Sequence, residues 1–83
     1  MNGERLEIVV VYRSPSDYPG EFVARCQYAC GEGGEPRIER DPELLARGRT
    51  LEEVRKVIQA KRPGKTLLER HPLDDPVIVE TWI

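Results

Sequence analysis

Apolar residues recur with two different periods along this chain, and the change of period predicts its elements. From Thr50 to Ala60, Leu51, Val54, Val57 and Ile58 fall at helical spacing and form one stripe. Thr50 is placed to cap this helix through its side-chain oxygen, and Glu53 to reach back to the Thr50 N–H as a capping box. Pro63 and Gly64 stop it near Arg62. A helix of about 10–12 residues is marginal alone in water, so this one must dock.

Elsewhere the period is two. Leu6–Tyr12 places Leu6, Ile8, Val10 and Tyr12 on one face, and Val9 and Val11 make the other face apolar as well. Burial on both sides predicts a central strand. Arg13–Gly20 is dense in turn residues. Glu21–Cys30 predicts a second strand with Phe22, Ala24, Cys26, Tyr28 and Cys30 facing the helix. After the Gly31–Gly34 turn, Arg37–Arg40 returns as a short strand. Asp41-Pro42 then resembles a cap and first helical position, giving one helical turn through Leu44 and Leu45, with a strand as its competitor. Lys65–Arg70 reads as extended, and His71–Pro76 as a loop. Val77–Ile83 is a last strand, with Val77, Val79, Thr81 and Ile83 opposite Ile78, Glu80 and Trp82.

The order β-β-(β)-α-β predicts an α+β fold. It forms one domain over residues 1–83, a sheet of three to four mostly antiparallel strands with one main helix on one face. The expected core is Leu6, Ile8, Val10, Phe22, Val54, Ile58, Val77 and Val79. With 83 residues this core is thin, which disfavours an internal cavity. At 39% hydrophobic and 34% charged, the composition is globular and not that of a disordered chain. No apolar run approaches the ~20 residues of a membrane span, and Met1–Arg5 lacks the apolar stretch of a signal peptide. A cytoplasmic location without membrane contact is expected.

Net charge is −2, but it is unevenly spread: −4 over residues 1–46, +5 over 47–70 and −3 over 71–83. The basic segment offers Arg55, Lys56, Lys61, Arg62 and Lys65 on or just beyond the polar helix face. A solvated helix face explains most of it, since cations stabilise a helix C-terminus and Glu52 can pair with Lys56.

Tyr12-x-x-Pro15-x-Asp17-Tyr18-Pro19-Gly20-x-Phe22-Val23-x-Arg25, with Asp74-Asp75-Pro76-x-Ile78-Val79-Glu80-x-Trp82, resembles a pattern in small bacterial and phage-encoded proteins that carry no assigned activity. Across about half of the chain, strands followed by a Thr50-Leu51-Glu52-Glu53 helix start and a further strand resemble HicB-type antitoxins. That second resemblance implies a partner-binding domain with a partial RNase H-like fold and no catalytic residues of its own.

Candidate chemistry is sparse. Four residues along a strand separate Cys26 from Cys30 by ~13 Å, too far for a disulfide. With His71 they still fall short of a zinc site. His71 has no nucleophile motif beside it, Asp74 and Asp75 suit a turn before Pro76, and Gly31-Glu32-Gly33-Gly34 lacks the Lys-Ser/Thr of a phosphate loop. The reading is therefore no catalytic residue, no metal and no cofactor. Tyr18, on a rigid turn, and Trp82, near the chain end, are the aromatic candidates for a partner interface, with Arg55, Lys56 and Arg62 as charged candidates. The expected function is a non-enzymatic interaction or regulatory module, antitoxin-like in its most specific form. Its expected partner is an unidentified protein, and a homodimer is open because the sheet leaves edge strands. Nucleic-acid association through residues 47–70 is the second reading, disfavoured by a sequence pI of about 5.4.

Overall fold

The computed structural model describes residues 5–32, 35–69 and 76–83. Their order is β1 (Arg5–Arg13), β2 (Phe22–Glu32), β3 (Glu35–Gly48), α1 (Leu51–Lys61), β4 (Leu67–Glu69) and β5 (Ile78–Trp82). All pairings are antiparallel, in the sheet order β3-β2-β1-β5-β4. The α+β class with one helix holds, but the sheet has five strands where three to four were expected. The short Lys65–Arg70 stretch supplies the extra edge strand β4, and Thr66 and Ile83 exchange backbone bonds of 2.7 and 2.9 Å beside it.

The helix forms where its signals predict. Thr50 caps it in an extended conformation, its Oγ1 accepting from the Glu53 N–H at 3.2 Å. The return bond differs from expectation: the Glu53 carboxylate accepts from the Arg49 N–H at 3.0 Å, one residue earlier than a capping box would place it. Gly48 makes room for this, since a Cβ there would sit 2.6 Å from Glu53 Oε2.

β3 is longer than expected, at 14 residues, and absorbs the helical turn expected at Asp41-Pro42. Asp41 does cap locally, its Oδ1 accepting from the Glu43 N–H at 3.0 Å. It does so where the β2–β3 register shifts, between Gln27↔Arg40 and Arg25↔Leu44. The turn-forming dipeptide thus makes a bulge, which is how a strand accommodates extra residues and a missing donor.

The helix covers one face of the sheet. Val54 and Ile58 bury completely among Val9, Val11, Ala24, Cys26, Leu45, Ala46 and Trp82. The helix-facing side of β2 is the one expected. That of β1 is the reverse: Val9 and Val11 face the helix, because they pair with Cys26 and Ala24 and with Trp82 and Glu80. Of the expected core, Val10, Val54 and Ile58 are buried, while Ile8, Phe22, Val77 and Val79 are half-buried. Leu6 is 55% exposed on the side away from the helix. Ile58→Ala is expected to lower the unfolding free energy by about 2–5 kcal/mol. A urea titration measures it, and an unchanged midpoint would place the helix on another face.

Candidate functional site

The residues expected to meet a partner are mostly occupied within the chain. Trp82 is 5% exposed, and its Nε1–H donates to Glu80 Oε2 at 2.8 Å. The Glu80 carboxylate, 3% exposed on the helix-facing side of β5, also accepts from Arg55 Nε at 3.1 and 3.2 Å and from Arg55 Nη2 at 2.7 Å. Arg55 lies on the helix one position beyond the buried Val54, and its half-exposed side chain reaches Glu80 on β5. The bond to Glu80 raises the Arg55 guanidinium above its ordinary value, outweighing the opposite effect of burial. Trp82 and Arg55 therefore tie β5 to the helix through Glu80.

Arg62 has a comparable role at the helix C-terminus. Its Nε donates to Glu7 Oε1 at 2.7 Å, and Lys65 Nζ lies 3.5 Å from the same oxygen and donates to the Glu7 carbonyl. The Tyr28 hydroxyl donates to Glu7 Oε2 at 3.3 Å. Burial pushes the Glu7 carboxyl up, but Arg62 and Lys65 together hold it below its ordinary value. Lys61 Nζ donates to the Leu45 carbonyl at 3.0 Å. Of the five cations on or just beyond the polar helix face, Lys56 projects into solvent with only a loose 3.9 Å pairing to Glu52.

Tyr18 sits in the β1–β2 connection with its ring 5.0 Å from the Arg47 guanidinium carbon, half-buried against the sheet. The loop holding it is closed by local bonds. Gly20 N donates to Ser14 Oγ at 3.0 Å, and Gly20 takes φ +78, which a side chain would strain. Arg25 Nη2 donates to Asp17 Oδ2 at 2.6 Å, tying the loop to β2.

A shallow cleft of about 340 Å³ opens beside this loop, lined by Tyr12, Pro15, Asp17, Arg25, Arg40 and Pro42. Cys26 is a free, buried thiol, raised above its ordinary value first by burial and then by Glu7, which makes it a poor nucleophile. His71, Asp74 and Asp75 lie outside the described residues, as does the Cys30 side chain. Among the described residues no three His, Cys, Asp or Glu side chains are grouped to hold a metal ion, and no helix is long and apolar enough to cross a membrane.

What pattern reading missed is the sheet face away from the helix. Leu6, Ala29 and Ile38 form one row across β1, β2 and β3 there. Leu68, Thr81 and Val10 form another across β4, β5 and β1. Ile83, one position beyond Trp82, also falls on this side. Leu6, Ile38, Leu68 and Ile83 are all exposed, Ile38 most of all at 60%. The available signal was Ile38 itself, a single apolar residue among Arg37, Glu39 and Arg40 on a strand.

Comparison with known proteins returns no match to a family model, to a curated protein or to a solved structure.

The depressed Glu7 carboxyl makes stability depend on acid. Its contribution is complete above the unfolded value near 4.5 and is lost as pH falls through the lower folded value. Thermal melts between about pH 3 and 7 should show the midpoint falling on acidification, and Glu7→Gln should flatten that fall. Equal acid sensitivity in both proteins would remove Glu7 as the cause. Arg55→Ala should cost about 3 kcal/mol in urea unfolding, because it leaves a buried carboxylate with only the Trp82 N–H. Lys56→Ala should stay within about 0.5 kcal/mol of wild type.

Proposed function

We propose that this protein is a small non-enzymatic interaction module, acting in the cytoplasm, whose helix-free sheet face docks against a protein partner. Its most specific form is antitoxin-like: strands, a Thr50-capped helix and further strands build a rigid platform, and a toxin-like partner covers the open side. One observation carries the reading. Four of the five exposed large apolar side chains among the described residues, Leu6, Ile38, Leu68 and Ile83, fall on the side that the helix leaves bare, and the fifth, Leu67, pairs with Trp82 on the other side. Exposed apolar side chains on one sheet face of a chain with 34% charged residues support an interaction site there.

Nucleic-acid association draws less support. A phosphate-binding stripe needs unengaged cations, and Arg55, Arg62 and Lys65 are bonded to Glu80 and Glu7. Tyr18 and the neighbouring cleft extend the docking region at its rim and offer a partner one aromatic contact.

The test is affinity capture from the native host with mass spectrometry, using wild type, a Leu6→Asp, Ile83→Asp variant and Lys56→Ala. A specific partner should be retained by wild type and by Lys56→Ala and lost from the apolar-face variant, with all three melting as folded proteins. Retention by all three would move the site elsewhere. Titration with generic DNA and RNA at low salt should show no micromolar binding. A steep loss of affinity with salt, approaching a log–log slope of about −0.9 per phosphate contact, would promote the nucleic-acid reading instead.

A further inference from the structure

β3 is an outer strand of the sheet, and its Arg37–Arg40 stretch is exposed. An edge strand offers unpaired N–H and C=O groups to any chain that can match its side chains. The two ends of the sheet are unequal in this respect: β4, at the other edge, is only three residues long, against 14 for β3.

We infer that a second copy of this chain pairs antiparallel with β3 about a two-fold axis through Ile38. The side-chain sequence Arg37-Ile38-Glu39 is complementary to itself when reversed. In this register Ile38 meets Ile38 of the second copy, and Arg37 meets Glu39 of the second copy on both sides of the axis. Opposite charges directly across an antiparallel pair contribute roughly 0.2–1 kcal/mol, and like charges oppose pairing by a similar amount. Within one chain the Arg37 guanidinium stands 3.9 Å from Glu39 and is largely in solvent, so Arg37 can turn toward a second strand.

Neighbouring registers are worse. Centring the axis on Glu39 sets two Glu39 carboxylates opposite each other and Ile38 against Arg40. Centring it on Arg40 opposes two guanidinium groups and sets Glu39 against Asp41. Shifting by half a step either way from Glu39 brings Arg37 against Arg40 or Ile38 against Asp41. The Ile38-centred register alone among these matches apolar with apolar and positive with negative.

The geometry has a further consequence. A two-fold axis through Ile38, perpendicular to the sheet, keeps both helices on one side and both open faces on the other. The row Leu6–Ala29–Ile38 then continues into Ile38–Ala29–Leu6 of the second copy, making one apolar row across six strands. Pro36 lies opposite Arg40 of the second copy and supplies no N–H, so pairing ends there and cannot extend along the strand. A short paired window favours a weak, closed dimer over open-ended assembly. This inference uses the strand edge and stands independently of the partner reading above.

The experiment is sedimentation equilibrium from about 10 µM to about 1 mM on wild type, Arg37→Glu, Glu39→Arg and the double variant Arg37→Glu, Glu39→Arg, with circular dichroism melts to verify folding. Wild type should pass from monomer to dimer across this range. Each single reversal, which brings like charges together, should weaken association at least tenfold. The double reversal restores opposite charges and should recover the dimer. A wild type that stays monomeric at the highest concentration would overturn the inference. So would single variants that dimerise as well as wild type, or a double variant no better than the singles. The Leu6→Asp, Ile83→Asp variant should still dimerise, so loss of a protein partner and loss of the dimer are read separately.

Discussion

The Glu80 carboxylate is the group around which the two halves of this small fold meet. A carboxylate at 3% exposure is expensive to desolvate unless its lone pairs are filled, and here Arg55 forks onto both oxygens while Trp82 donates to one. Those bonds join the helix to β5, which itself lies between β1 and the edge strand β4. Apolar packing of Val54 and Ile58 tells the helix to lie on the sheet, but such contacts tolerate sliding. A bidentate bond does not, and it limits how far the helix, which lies over β2 and β3, can move relative to β5. Within the described residues no buried side-chain nitrogen or oxygen lacks a partner, so this polar element is complete.

How much of this was legible depends on whether the signal was local. The helix was readable because cap, stripe and stop all lie within fifteen residues and agree. Its return bond was misplaced by one residue, since Gly48 admits the Glu53 side chain to the Arg49 N–H and no propensity rule anticipates that clearance. The face of β1 was not readable. Leu6, Ile8 and Val10 are as apolar as Val9 and Val11, and alternation cannot choose between two apolar faces. Cross-strand partners decide: Val9 lies between Cys26 and Trp82, both under the helix. Asp41-Pro42 was ambiguous for a related reason. An Asx bond to the Glu43 N–H occurs in both a helix start and a bulge, and only the β2 ladder selects the bulge.

The residue pattern running from Tyr12 to Arg25 and from Pro76 to Trp82 takes on a physical meaning in three dimensions. Asp17 bonds Arg25, and Glu80 bonds Trp82, so the most distinctive polar members of the pattern are bonded to one another. Such residues specify how a loop closes and how a last strand docks. They describe a scaffold, and a scaffold is compatible with many functions. Trp82 and Arg55 drew notice in sequence as an aromatic and a cation suited to contact. The same chemistry that suits a partner suits an internal contact: Trp82 is buried, and the half-exposed Arg55 is bonded to Glu80. The proposed docking face rests instead on side chains with weaker signatures: Leu6, Ile38, Leu68 and Ile83, each ordinary alone and informative only once the register lines them up.

The same logic accounts for the uneven charge. A +5 segment between −4 and −3 flanks suggests a binding stripe when read along the chain. In space its cations reach back into both flanks: Arg47 to Glu21, Arg62 and Lys65 to Glu7, and Arg55 to Glu80. The segment is basic because it lies over acidic residues from the strands before and after it. Exposed pairs such as Arg47–Glu21 contribute little to stability, but together they exclude arrangements that set like charges together. The helix-free face keeps charges of its own, with Arg25 held by Asp17 and Arg40 across from Gln27, while Leu6, Ile38, Leu68 and Ile83 present aliphatic side chains to water beside them. Covering those side chains with another protein would remove apolar area, provided the Arg25–Asp17 pair stays bonded.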